Sequence, residues 1–245
     1  MFDDKIFFMH IAKTAGSKVN KVFRDIIDAD VYQEHAEFKL DQFESVLAKN
    51  KFISGHIHLH NIRKHLNEGI FKFTVIRDGV SHLASHIGWL DHYNNVDKEV
   101  HRKRLSPQIQ ELVYSIKHTD ITNYKELDKF LVSLSGVGIQ LLDNCQCRYL
   151  LNKGEVPLSL SDLDEAIENA RFLDLVIDQN KLSSSLPVLL RRLGFSSDLI
   201  KRMDFYSRVN EAKTTRKIDI NVPVVRQVLA RRCSVDERLY NFLFN

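Results

Sequence analysis

Three cysteines in 245 residues, Cys145, Cys147 and Cys233, give an odd count and no disulfide framework, so the chain is expected in a reducing compartment. Cys145 and Cys147 are too few for a structural zinc site unless histidines join them, and are read as free thiols. No apolar run approaches membrane-spanning length, and no basic segment followed by a long apolar run opens the sequence. No integral membrane segment or secretory signal is therefore expected, and a cytoplasmic location is. The formal charge is only +3, too small to argue for general nucleic-acid binding but compatible with a local basic pocket for an anion. There is no internal repeat or low-complexity linker, so one domain over residues 1–245 is expected.

What is present is ordinary globular composition, 44% apolar and 27% charged, on a chain long enough to bury a sizeable core. Its most informative stretch runs from Lys5 to Ser17. A short, almost wholly apolar run reads as a buried parallel strand. It breaks into a small-residue turn, Lys13-Thr14-Ala15-Gly16-Ser17. Val19, Val22, Phe23, Ile26 and Ile27 then recur at helical spacing. Strand, tight turn and helix aim backbone N–H groups at an anion, and Lys13, Thr14 and Ser17 add a cation and two hydroxyls. The turn is not the standard nucleotide triphosphate loop, because its Lys precedes the Gly. The competing reading is an ordinary turn in which Ser17 caps the helix.

Further along, strands are expected around Asp30–Tyr32, Lys51–His56, Ile70–Arg77 and Leu173–Ile177. Helices are expected over Asp41–Lys49, Ile62–Leu66, Val80–Tyr93, most of Ser106–Leu151, Ser161–Arg171, Leu186–Leu193, Val224–Arg232 and Val235–Phe244. Residues Asn94–Leu105 and Tyr206–Asn221 read as charged loops, the first mobile. The alternation predicts an α/β fold: a P-loop-like, doubly wound parallel sheet flanked by helices, with a helical C-terminal half.

A second strand-to-helix junction, Val75-Ile76-Arg77-Asp78 through Ser85, puts an Arg at the carboxyl end of a strand, where open α/β sheets bind ligands. An Arg and a Ser so placed can share a phosphate; the plain alternative is an Arg77–Asp78 surface pair.

Together the two junctions carry a resemblance. The chain resembles the sulfotransferases that use 3′-phosphoadenosine 5′-phosphosulfate (PAPS), in the branch containing bacterial and Golgi carbohydrate sulfotransferases. His10-Ile11-Ala12-Lys13-Thr14-Ala15-Gly16-Ser17 is similar to that branch's His-Ile-Pro-Lys-Thr-Gly-Gly-Thr loop for the 5′-phosphosulfate. Arg77 through Ser85 is similar to its 3′-phosphate motif. Gly55-His56, the Asn144-x-Gln146-x-Arg148-x-Leu150 segment, Arg208-Val209-Asn210 and Asp236-Glu237-Arg238-Leu239-Tyr240 resemble later elements. The departures are Ala12 for Pro, Ala15 for Gly and Gly79 for Pro, and Val176–Asn180 lacks a Gly-Leu-Thr-Glu pattern.

The resemblance implies sulfuryl transfer from PAPS to a carbohydrate or glycolipid hydroxyl, with no obligatory metal. Lys13 would neutralise developing charge, and Thr14, Ala15, Gly16 and Ser17 would hold the 5′-phosphate. Arg77 and Ser85 would hold the 3′-phosphate, with Arg216 and Lys217 closing over the donor. His56 is the candidate general base, with His58 and His60 as competitors. The His-x-His-x-His spacing also admits a metal reading. His82, His86 and Trp89 are read as packed helix residues. The basic loops Lys98–Arg104 and Arg208–Lys217 are read as solvated surface that could meet an anionic acceptor. The rival functions are a P-loop-type nucleotide kinase and a non-catalytic nucleotide-binding protein.

Overall fold

The structure, a computed structural model, describes residues 5–207 and 216–245. Its strands are β1 (Lys5–Met9), β2 (Tyr32–Gln33), β3 (Phe52–Gly55), β4 (Ile70–Ile76) and β5 (Leu175–Asp178). The helices of the first part of the chain are α1 (Gly16–Arg24), α2 (Phe43–Lys49), α3 (Leu59–Ile62), α4 (Gly79–His92), α5 (Glu99–Arg102), α6 (Pro107–Lys117) and α7 (Tyr124–Val132). They are followed by α8 (Val137–Leu142), α9 (Cys145–Leu150), α10 (Leu163–Arg171), α11 (Leu182–Arg192), α12 (Ser197–Lys201), α13 (Pro223–Arg232) and α14 (Ser234–Phe244). None of the described helices is long and apolar enough to cross a membrane. The described residues form two compact units: 5–77, 149–151 and 167–207 make the first, and 78–148, 152–166 and 216–245 the second.

The first unit holds the whole sheet, all parallel, in the order β2-β3-β1-β4-β5. β1 pairs on both edges, Phe8 opposite Ser54 on one side and Phe73 on the other, which is why its sequence is a continuous apolar run. Ile6 and Phe8 pack with Val22 and Phe23 of α1 and Leu186 of α11. Phe7, facing the opposite way, meets Phe43 of α2 with ring centroids 6.1 Å apart. Helices thus cover both faces, as the alternation predicts.

The described part of the second unit is helical. α4, α6, α7, α8 and α13 enclose a core that includes Val80, Ile87, Val113, Leu127, Leu142 and Leu229. Local chemistry sets the helix starts. Asp78 caps α4 by accepting from the Ser81 N–H at 2.9 Å. α6 begins with Ser106 as cap and Pro107 at its first position.

Several expectations shift. Asn94–Leu105 is not a bare loop: a 3₁₀ turn over Val96–Lys98 leads into α5, and Lys103 pairs with Glu99 one turn away at 2.7 Å. The helical segment leading into α10 is capped by Ser159, in a reciprocal box with Asp162, two residues before the expected start at Ser161. α11 starts a turn earlier than its apolar spacing suggests, and Gly194 closes it with φ +82° while the Phe195 N–H reaches back to the Leu190 carbonyl. The segments Arg208–Asn210 and Lys213 lie outside the described residues.

Candidate functional site

β1 and β4 are hydrogen-bonded neighbours, yet the chain leaves β1 toward β2 on one side and leaves β4 toward β5 on the other. Open α/β sheets take ligands at this kind of switch, beyond the carboxyl ends of the strands. The register of Met9 with both Gly55 and Thr74 brings three exits to one edge: the Lys13 turn after β1, His56 after β3 and Arg77 after β4. The Thr74 hydroxyl donates to the Met9 carbonyl at 2.7 Å and fixes the two strand ends together.

The turn has an unusual backbone. Lys13 (φ 65°) and Ala15 (φ 66°) both occupy the left-handed region, which costs a non-glycine residue roughly 1–2 kcal/mol. Position 15 is where the resembled branch carries Gly, the residue that adopts this conformation without strain. Ala15 precedes the first turn of α1 and supplies no side-chain cap. The opening N–H groups of α1 have no carbonyl within the helix to bond, and they point out of its N-terminus. Ser17 sits inside the helix rather than capping it. The Thr14 hydroxyl is committed to the Ile11 carbonyl at 2.8 Å and the residue is fully buried, so only its backbone can serve an anion.

Electrostatics at the turn oppose the charges already there. The Lys13 ammonium is held below the usual lysine range, first by burial and then by the Arg77 guanidinium. Among the described residues no carboxylate stands within ion-pair distance of Lys13. Two cations and a helix N-terminus therefore converge without a protein counter-charge for Lys13. A multivalent anion would supply one.

His56 adjoins this turn. Its Nδ1 lies 2.8 Å from the His10 carbonyl, which can only accept, so Nδ1 carries the proton and Nε2 is the basic nitrogen. Its backbone N–H donates to the Glu37 carboxylate at 3.0 Å. Burial lowers the His56 pKa, outweighing the Glu37 charge and the His10 bond that act to raise it. His10 stacks on it with ring centroids 4.1 Å apart and is pushed down to about 3, by burial first and then by His56 and His35. Both imidazoles are thus neutral near pH 7. The His10 ring also lies over Gly16, where any Cβ would overlap it. The sequence places His10 in the motif without a role; Glu37, His35 and Tyr149, whose hydroxyl is 3.5 Å from His56 Nδ1, carry no sequence signal.

The remaining candidates fall as follows. His58 ends the extended segment as the residue before α3, so His60 is already helical and the alternate-face metal geometry is lost. His58 packs on Tyr149 (4.8 Å) while His60 is exposed. Ser85, Arg216 and Lys217 belong to the second unit. Ser85 is half-buried on α4. Arg216 pairs with the buried Asp91 and donates to the carbonyls of Thr119 (2.7 Å) and Ile116 (2.9 Å). Lys217 is exposed and lines a cavity of about 490 Å³ with Thr122, Tyr124, Lys125 and Asp219. Trp89 is half-buried against the second unit's core, and His82 and His86 are fully buried. No protein-family model matches the chain, and no curated protein matches it.

Proposed function

We propose that the protein is a PAPS-dependent sulfotransferase, with a P-loop-like turn at Lys13–Ser17 and a carbohydrate or glycoconjugate hydroxyl as acceptor. The observation that carries this reading is the pairing of Lys13 with Arg77 at the carboxyl ends of adjacent parallel strands, beside a neutral histidine.

A nucleotide with phosphates at both its 5′ and 3′ ends suits two cations better than one. The backbone N–H groups of Thr14, Ala15, Gly16 and Ser17 would hold the 5′-phosphate. Arg77 would hold the 3′-phosphate through charge-assisted hydrogen bonds, and the addition of Ser85 there rests on the sequence resemblance. The donor supplies an activated sulfuryl group, which carries less negative charge than a phosphoryl group. Positioning and electrostatics therefore suffice without an obligatory metal. Lys13 would neutralise the charge that develops on the leaving oxygen. His56 Nε2, its tautomer fixed by the His10 carbonyl, would take the proton of the attacking hydroxyl. His10, Glu37 and Tyr149 position that ring and do not touch the reacting atoms.

Calorimetric titration with 3′-phosphoadenosine 5′-phosphate against ATP tests the donor. At least tenfold tighter binding of the 3′-phosphorylated nucleotide is expected, with most of that preference lost in Arg77→Ala. Equal affinity for the two nucleotides would sink the proposal in favour of an ATP-using protein. A screen of saccharide acceptors with labelled donor then identifies the hydroxyl.

A further inference from the structure

We propose that His82, His86 and Cys145 supply three ligands of a buried zinc site inside the second unit. The three side chains offer two imidazole nitrogens and one sulfur, and these donor atoms all lie within 4.8 Å of one another. His82 and His86 are four residues apart on α4 and project from one face of it, while Cys145 opens α9. The two rings stand 5.7 Å apart at 80°, so their nitrogens can converge without the rings overlapping.

The spacing suits a tetrahedral ion. Zinc–nitrogen and zinc–sulfur bonds of about 2.0–2.3 Å put neighbouring donors roughly 3.3–3.7 Å apart, so the widest pair closes by little more than about 1 Å. The donor chemistry selects among metals. Magnesium and calcium require oxygen ligands, whereas imidazole with thiolate suits zinc.

The other thiols are used differently. The Cys147 thiol is hydrogen-bonded to Asp236, and Cys233 Sγ donates to the Leu229 carbonyl at 3.2 Å. Cys145 alone among the three cysteines has its sulfur gathered with imidazoles. Zinc binding releases the Cys145 thiol proton to solvent, and the thiolate joins the nearby buried Asp236 carboxylate in attracting the ion. His82 and His86 are each 1% exposed and Cys145 5%, which makes this a structural site that ties α4 to α9 rather than one open to substrate.

The test uses the full chain, stripped with a chelator and titrated with zinc chloride, then with cobalt(II) as a spectroscopic substitute. One equivalent of zinc should be retained after removal of excess, and it should raise the unfolding temperature. The cobalt form should show a thiolate-to-metal charge-transfer band and the intense visible bands of tetrahedral coordination. Cys145→Ser should abolish the charge-transfer band and weaken zinc binding at least tenfold, while Cys147→Ser keeps both. No retained zinc, a wild-type cobalt spectrum without charge transfer, or unchanged binding in folded Cys145→Ser would each overturn the proposal. The wild-type spectrum decides even if a variant fails to fold. Nucleotide binding is a separate readout, so failure here leaves the transferase reading to its own titration.

Discussion

Two polar clusters, one in each unit, use their charges in opposite ways. At the turn after β1, Lys13 and Arg77 repel each other, burial adds to the cost, and two residues adopt strained backbone. Where α9 and α14 begin, the Asn144 and Asp236 side chains are committed to backbone N–H groups. The Asn144 side-chain carbonyl accepts from the Val235 and Asp236 N–H groups at 2.8 and 3.2 Å. Asp236 in turn accepts from the Cys147 and Gln146 N–H groups at 2.8 and 3.2 Å. Each helix start is thus capped by the residue that opens the other. Arg148 donates to Asp143 and to the carbonyls of Gly154 (2.7 Å) and Val156 (2.8 Å). The first cluster gathers like charges, whereas the second commits its side chains to helix starts.

The comparison breaks most readily at Lys13. Lys13→Ala should lower kcat/KM for sulfuryl transfer by about 10³-fold or more, roughly 4 kcal/mol of transition-state stabilisation. Because it removes a cation from beside Arg77, it should leave the unfolding temperature unchanged or slightly higher. A large loss of stability with intact transfer would reverse the two assignments.

The reciprocal caps predict the converse. Asn144→Ala and Asp236→Ala should each cost about 2–4 kcal/mol, since each strands two buried N–H groups. The double variant should cost clearly less than the sum, because either change already disrupts the shared junction. Additive effects in denaturant melts would show that the two caps act independently.

His56→Ala falls next, with about a 10²-fold drop in kcat and loss of the acid limb of its pH profile. A full-rate His56→Ala enzyme would pass the base role to another group. Gly16→Ala should destabilise by about 1–3 kcal/mol, because its methyl overlaps the His10 ring. His10→Ala in the same chain should restore most of that loss. A Gly16→Ala variant as stable as wild type would mean that the ring moves aside freely.

How much of this was legible in the sequence follows from what each pattern encodes. The apolar run Ile6–Met9 and the spacing of Val19, Val22 and Phe23 report burial directly, and the strand-helix alternation they begin is found. The placement of the Lys13 turn and Arg77 beyond strand ends was legible because the apolar runs before them mark β1 and β4. Contacts across distant segments were not. The partners of Arg216, Asp91 and the Thr119 carbonyl, carried no signal because they lie about a hundred residues away in sequence. Glu37 had no pattern to announce it, and it reaches His56 only through the pairing of β2 with β3. His82 and His86 share a helix face in sequence, but their convergence on Cys145 depends on how α4 and α9 pack.

The mildest test concerns acid. His10 is held down to about 3 by burial and by His56 and His35, whereas in the unfolded chain it titrates near the ordinary histidine value of about 6.5. Above that value it is neutral in both states and contributes no pH dependence. Below it the unfolded chain takes up a proton that the native state refuses, so stability falls as pH drops. The slope approaches about 1.4 kcal/mol per pH unit and persists toward pH 3. His56, also lowered, acts in the same direction, while Glu37 opposes the effect at His56. Between pH 6.5 and 5 the His10 share is about 1.5 kcal/mol. His10→Gln should therefore flatten the stability profile over that interval by about that amount, read from urea melts at each pH. The burial that keeps His56 unprotonated also makes the site acid-labile, so equal slopes in wild type and variant would place the His10 ring in solvent and remove its share of the effect.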